Sequence, residues 1–253
     1  MLGTPLLPAR APICQMIIGH IGARAGSKGV PNKNFRLLHG KHLIDWSLDQ
    51  LFANDRVDHV VVSTDSEEMY AHAIKRGCLD IGLRPAELAT DTAAKWHVWQ
   101  HALGEVEKQT GPASAFLDLD CTSPLRLPED IDAGLDIYAA QSPDMVMSCC
   151  ESRKNPYFNM LETDDDGGLH VSKPLPHGVV ARQQAPMVYD HVGLVYVVKP
   201  DYLRTAKSLF EGHVIPLIVP NERGLDVDSP FDWDVINYLL GKQIADGVRT
   251  PAS

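Results

Sequence analysis

Short apolar runs alternate with amphipathic segments along most of this chain, and no other feature constrains its fold as tightly. Residues 16–21, 57–62, 115–119, 145–149, 192–198 and 214–219 are apolar and of strand length, most of them rich in β-branched side chains. Residues 43–52, 67–76, 91–108, 128–140 and 230–240 carry apolar positions at helical spacing instead. Ser63-Thr64-Asp65 and Asp91-Thr92 read as polar caps of the second and third helices. Pro128 opens the fourth, at a position where proline is tolerated. Neighbouring parallel strands need crossover connections of this kind, so the rhythm predicts an α/β fold, a mostly parallel sheet with helices on both faces. Ligands of such sheets bind beyond the carboxyl ends of the strands. Those ends carry residues 24–33, Asp65, residues 120–126 and, later, residues 226–228.

The rhythm stops between residues 151 and 190. Several prolines and the run Asp164-Asp165-Asp166-Gly167-Gly168 make this stretch an extended or hairpin-like insertion, its three aspartates at a solvated turn rather than around a metal. Residues 1–12 are expected to form a flexible leader and residues 243–253 a loose tail. One domain, residues 13–242, contains the insertion.

Composition enters through what it excludes. Lys and Arg number 23 and Asp and Glu 33, a formal net charge of −10, the wrong sign for a protein that coats nucleic acid or an anionic membrane. No apolar run approaches the ~20 residues of a membrane-spanning helix. The five cysteines are an odd count without a CxxC pair, which points to a reducing, cytoplasmic compartment. Cys149 and Cys150 read as small residues ending a buried strand. His97 and His101 stand four apart but lack the HExxH glutamate and a third ligand, so they read as a helix face. Trp96 and Trp99 beside them read as core or interface anchors.

An acidic chain that handles an anion must gather its cations locally. This one does so in residues 22–34, Gly-Ala-Arg-Ala-Gly-Ser-Lys-Gly-Val-Pro-Asn-Lys-Asn, directly after the first strand. Glycines let backbone N–H groups approach phosphate oxygens with no Cβ in the way, and Arg24, Lys28 and Lys33 would neutralise a polyphosphate. The spacing is neither GxxxxGK[ST] nor GxGxxG, which argues against a P-loop nucleotidase and a dinucleotide site.

This loop resembles the signature of the CMP-sialic acid synthetases, the acylneuraminate cytidylyltransferases. The resemblance runs on, in family order, through Ser63-Thr64-Asp65-Ser66-Glu67-Glu68, residues 83–93, Thr122-Ser123-Pro124-Leu125-Arg126, residues 182–189 and Leu225-Asp226-Val227-Asp228. It implies a Rossmann-like nucleotidyltransferase fold (GT-A-like) with residues 151–190 as a protruding dimerisation arm, hence a homodimer. It implies transfer of CMP from CTP to the anomeric hydroxyl of an acidic nonulosonic sugar, with magnesium and release of pyrophosphate. Arg24, Ser27, Lys28, Lys33 and Asn34 would hold and activate the phosphates, with Arg24, Lys28 and Lys33 as the catalytic cations. Arg84, Asp91 and Ala93 would fix cytosine and ribose. Arg182, Gln183 and Tyr189 would face the acceptor, and Asp226 and Asp228 the magnesium. Asp226 and Asp228 would share one side of an extended segment; the lesser alternative is that Asp228 caps the last helix. Asp232 and Asp234 read as first-turn residues.

Two departures bear on the acceptor. Gln-Pro is usual before Thr-Ser-Pro-Leu-Arg, and here Asp120-Cys121 stands there. Asp120 is expected at the acceptor or, with Asp118 on the same face, at magnesium; Cys121 is expected only to fill space. After Tyr189, where an Arg is usual, stands Asp190. The run Ala185-Pro186-Met187-Val188-Tyr189-Asp190 and residues 155–159 resemble enzymes of legionaminic and pseudaminic acids more than of N-acetylneuraminate. The alternatives are a transferase for Kdo or another acidic sugar and a catalytically silent nucleotide-binding regulator.

Overall fold

The computed structural model describes residues 16–26 and 29–250. The expected leader and two of the phosphate-loop candidates, Ser27 and Lys28, lie outside the described residues.

A six-stranded sheet forms the centre, in the order β10-β6-β9-β5-β1-β4. Its strands are β1 (Ile17–Gly22), β4 (His59–Ser63), β5 (Ala115–Asp118), β6 (Met145–Glu151), β9 (Tyr189–Val198) and β10 (Val214–Ile218). Only β9 runs antiparallel to its neighbours β5 and β6; the other pairings are parallel. Two small hairpins stand apart from it: β2 (Leu37–Leu38) with β3 (Lys41–His42), and β7 (Leu161–Thr163) with β8 (Leu169–Val171).

Alternate side chains of these strands enter opposite cores. On one face Val60, Val62, Leu117, Val146, Val195 and Val197 meet α1 (Leu43–Ala53), α2 (Glu67–Lys75) and α4 (Pro128–Gln141). On the other, Ile18, Val61, Phe116 and Tyr196 meet Trp96 and Trp99 of α3 (Lys95–Thr110) and Tyr202 of α5 (Pro200–Thr205). A third cluster, with Val30, Trp46, Val227 and Trp233, seats α6 (Pro230–Ala245). The two cysteines of β6 are buried, and the two tryptophans are core residues.

Several local expectations change. The cap of α2 is Ser66, which accepts from the Met69 N–H at 3.3 Å, because Asp65 is taken by the Ala25 N–H at 2.7 Å. Helix α3 begins at Lys95, not at Asp91, whose carboxylate is engaged by Arg24. Ser229, not Asp228, caps α6, in a reciprocal box with Asp232. The tail is not loose up to residue 250. The N–H groups of Val248 and Arg249 bond to Gln243 O at 2.9 and 3.2 Å, and the Arg249 guanidinium donates to Arg126 O. The insertion does contain a hairpin: Asp164 N–H closes its turn on Gly168 O at 2.8 Å, and the aspartates sit at that turn.

Candidate active site

Three loops converge at the carboxyl ends of β1, β4 and β5. The first is the glycine-rich loop after β1. Asn34 donates to Arg24 O at 3.1 Å and accepts from the Cys121 thiol at 3.4 Å, joining it to the second loop after β5. Lys33 donates to Val227 O at 2.6 Å and to the Asp228 carboxylate at 3.0 Å, joining it to the third. Gly29 is indispensable to that contact, since a Cβ there would stand 1.9 Å from Asp228 O. The third loop is extended. Val227 is fully buried, and its N–H bonds to Thr122 O at 2.9 Å, so the flanking aspartates turn away from that core. Asp226 accepts from the Ser123 hydroxyl, and the Asp228 side chain is 79% exposed.

The loops enclose a cleft of about 400 Å³. Of the candidates named from sequence, Arg24, Lys33, Asn34, Arg84, Asp91, Ala93, Asp120 and Asp228 line it. Asp226 lies just behind, through Ser123. Arg84 is nearly buried, its Nε on Ser63 Oγ at 3.0 Å and its Nη2 on Ser63 O at 2.5 Å. The acceptor candidates of the insertion are elsewhere. Arg182 and Gln183 line a separate cleft of about 240 Å³ on the arm, where Arg182 donates to Ser152 O at 2.5 Å. Tyr189 is exposed at the start of β9.

The floor of the main cleft holds charge that sequence reasoning largely missed. His20 Nδ1 and Asp118 Oδ1 are 2.5 Å apart, both fully buried. Lys95 Nζ lies 2.9 Å from Asp118 Oδ2 and 2.6 Å from Asp120 Oδ1, over the face of Tyr196 at 4.2 Å. One ammonium thus serves two carboxylates. Burial raises both acids, but Lys95 and His20 together hold Asp118 below its ordinary range. Asp120, with burial and the charges of Asp118 and Asp226 against it, is pushed up to about 6 despite Lys95. Lys95 is raised despite its burial, by the two carboxylates. Burial lowers His20 and pushes the Cys121 thiol up to about 12, so that sulfur stays protonated and fills space, as expected.

Arg126, wholly buried, braces the second loop from behind. It donates to Gln50 Oε1 at 2.8 Å, Ser47 Oγ at 2.6 Å, Leu194 O at 2.9 Å and Asp120 O at 3.3 Å. Asp120 is also locked from β9, since a Cβ on Gly193 would stand 2.2 Å from its Oδ2.

No cluster of three or more His, Cys, Asp or Glu side chains suited to a metal occurs among the described residues. The Asp228 carboxylate in the cleft and that of Asp226 just behind it are hard oxygen donors of the kind magnesium takes, one or two beside several waters and substrate phosphates.

A family model described as cytidylyltransferase matches residues 18–219. Post-translational flagellin modification protein B of Campylobacter coli is 34% identical over 225 residues, 88% of this chain and 94% of that protein. CMP-N,N'-diacetyllegionaminic acid synthase of Campylobacter jejuni is 32% identical over the same shares. N-acylneuraminate cytidylyltransferase of Streptococcus agalactiae is 32% identical over 90% of this chain, which spans 53% of that longer protein. Among solved structures, a CMP:2-keto-3-deoxy-manno-octonic acid synthetase complexed with CTP superposes with a TM-score of 0.65 at 17% identity, over 90% of this chain and 99% of that one. At that identity the likeness shows the nucleotidyltransferase fold.

Proposed function

The chain belongs to the cytidylyltransferase family, and from that premise we propose that it transfers CMP from CTP to the anomeric hydroxyl of a nonulosonic acid, with legionaminic-type acids as the preferred acceptors. The observation that carries the reading is the contact of Lys33 with Asp228 and Val227 O, which brings the cationic loop against the extended segment of the two aspartates, Asp228 lining the cleft and Asp226 just behind it. The acceptor oxygen attacks the α-phosphorus and the α–β bridging P–O bond breaks. Pyrophosphate leaves, and the hydroxyl proton is released to water. Arg24 and Lys33, with Lys28, bind the triphosphate and offset the charge that grows on the leaving group. Backbone N–H groups of the loop, with Ser27 and Asn34, orient the phosphates. Arg84 and the turn of Asp91 and Ala93 hold the nucleoside.

Asp226 and Asp228 would hold magnesium. The metal would draw phosphate negative charge out of the path of the attacking oxygen. Asp120 faces an ammonium at 2.6 Å. That ammonium is shared with Asp118 on the cleft floor and does not belong to the loop that Lys33 joins to Asp228, and we assign Asp120 to the acceptor side.

The arm, with Arg182, Gln183 and Tyr189, completes the acceptor site of a second copy in a homodimer. Its apolar Leu169, Val180 and Met187 are exposed, and its cleft is separate from the one in its own chain. We place the reaction in the cytoplasm. The four described cysteines are free, and no described helix is long and apolar enough to cross a membrane.

A pyrophosphate-release assay with CTP, magnesium and an acceptor panel tests the reading. Legionaminic, pseudaminic and N-acetylneuraminic acids and Kdo make up the panel. Turnover is expected, fastest with the legionaminic acid. CTP binding without turnover on any acid would favour a silent regulator instead.

A further inference from the structure

His20 interrupts an otherwise apolar central strand and is wholly buried, yet it lines the cleft. Strand register sets it directly beside Asp118. The Asp118 carboxylate also faces Lys95 at 2.9 Å, so it stays ionised and takes the imidazole hydrogen at Nδ1. Nε2 is thereby left as a lone-pair acceptor. It is buried, and no described residue donates to it. A buried acceptor with no donor is uncommon and asks for a ligand.

The neighbouring wall shows which ligand edge would fit. Arg84 uses Nε and Nη2 on Ser63, and its Nη1 makes no hydrogen bond to a described residue. A Cβ on Gly22 would stand 3.4 Å from His20 Cε1 and 3.5 Å from Arg84 Nη2, so imidazole and guanidinium flank one bare stretch of backbone. The cleft therefore offers an acceptor next to a cationic donor. The cytosine edge is the complement, an amino donor at N4 beside the acceptors N3 and O2. Uracil would turn the O4 lone pairs toward the Nε2 lone pair and would leave that acceptor unmade.

We propose that His20 is a nucleobase-specificity residue, its Nε2 accepting from the amino group of cytosine while Arg84 donates to the ring acceptors, so that the cleft selects CTP over UTP. The inference rests on the cytidylyltransferase reading and extends it to a residue outside the phosphate loop. Asp118 and Lys95 act behind it as positioning residues that fix the imidazole hydrogen.

Calorimetric titration of CTP and UTP into the full chain with magnesium tests it and needs no acceptor sugar. His20→Leu removes the acceptor, and His20→Gln returns an amide oxygen near the same place. His20→Leu should lower the CTP-to-UTP affinity ratio at least about tenfold, and His20→Gln should restore most of it. A folded His20→Leu protein with an unchanged ratio would overturn the proposal. Should that variant not fold, ¹⁵N spectra of the wild-type imidazole decide. The Nε2 signal should be that of an unprotonated nitrogen, moving with CTP and not with UTP; no movement with CTP overturns the proposal. A wild-type protein that binds CTP no more tightly than UTP would show, before any variant is made, that the cytidylyl reading has failed.

Discussion

At the scale of single residues, Lys33 carries the most. It is covalently part of the phosphate loop, yet its ammonium is fixed by groups 194 and 195 positions away. Replacing it with methionine should lower kcat/KM about 100-fold or more, far beyond the few degrees of melting temperature lost with its two bonds, measured in the pyrophosphate assay beside a thermal melt. His20 yields a pH prediction. Burial, aided by the charges of Arg84 and Lys95, holds its pKa below the ordinary 6.5 against the pull of Asp118. The unfolded chain takes up this proton near 6.5 and the folded chain does not. Its contribution to stability is therefore present above 6.5 and disappears as pH falls through the folded value. Urea unfolding should show stability dropping in that direction, and His20→Leu should flatten the slope. The contrast between these two residues explains what the sequence disclosed. Arg24, Lys33 and their glycines are neighbours in the chain, so their grouping was legible. His20 and Lys95 join Asp118 only through strand register and helix placement, across 98 and 23 positions, and each alone reads as one polar residue in an apolar setting.

At the scale of elements, strands and helices were legible because their apolar periods are local, while their ends were not. Asp91 and Asp65 are good cap residues by type, but both are drawn off to the phosphate loop, and the helices start later on other residues. The one cap of direct consequence for the site is Ser229, because α6 begins where Asp226 and Asp228 end. Asp232 completes the box, and its pKa is lowered by the Ser229 and Asp228 contacts despite burial. Ser229→Ala should cost about 1 kcal/mol, seen as a fall of roughly 2–4 °C in melting temperature. A raised magnesium requirement should accompany it if the cap also steadies the aspartates. The tail is more ordered than its composition suggests for a related reason: the attachment of Arg249 to Arg126 O is a contact over 123 positions that no local pattern announces.

At the scale of the whole molecule, the homodimer proposed through the arm makes a prediction. Leu169→Glu with Val180→Glu places charge on exposed side chains that touch no core of their own chain. Sedimentation should then report a monomer, with folding stability altered by no more than about 0.5 kcal/mol, and acceptor turnover should fall with the loss of the dimer. A dimer that survives both changes would remove the arm from the interface. The pairing of β6 with β9 has another consequence. Glu151 and Tyr189 are direct partners at the far end of that ladder, beyond the irregularity between Met147 and Cys149. The chain therefore leaves the sheet and re-enters it one strand spacing apart, about 5 Å. Whatever lies between those two residues closes on itself without loading the catalytic half, and the entropic cost of lengthening it rises only slowly. Drift in length and sequence is therefore cheapest here, so a lineage could change the sugar it activates while inheriting its nucleotide chemistry intact.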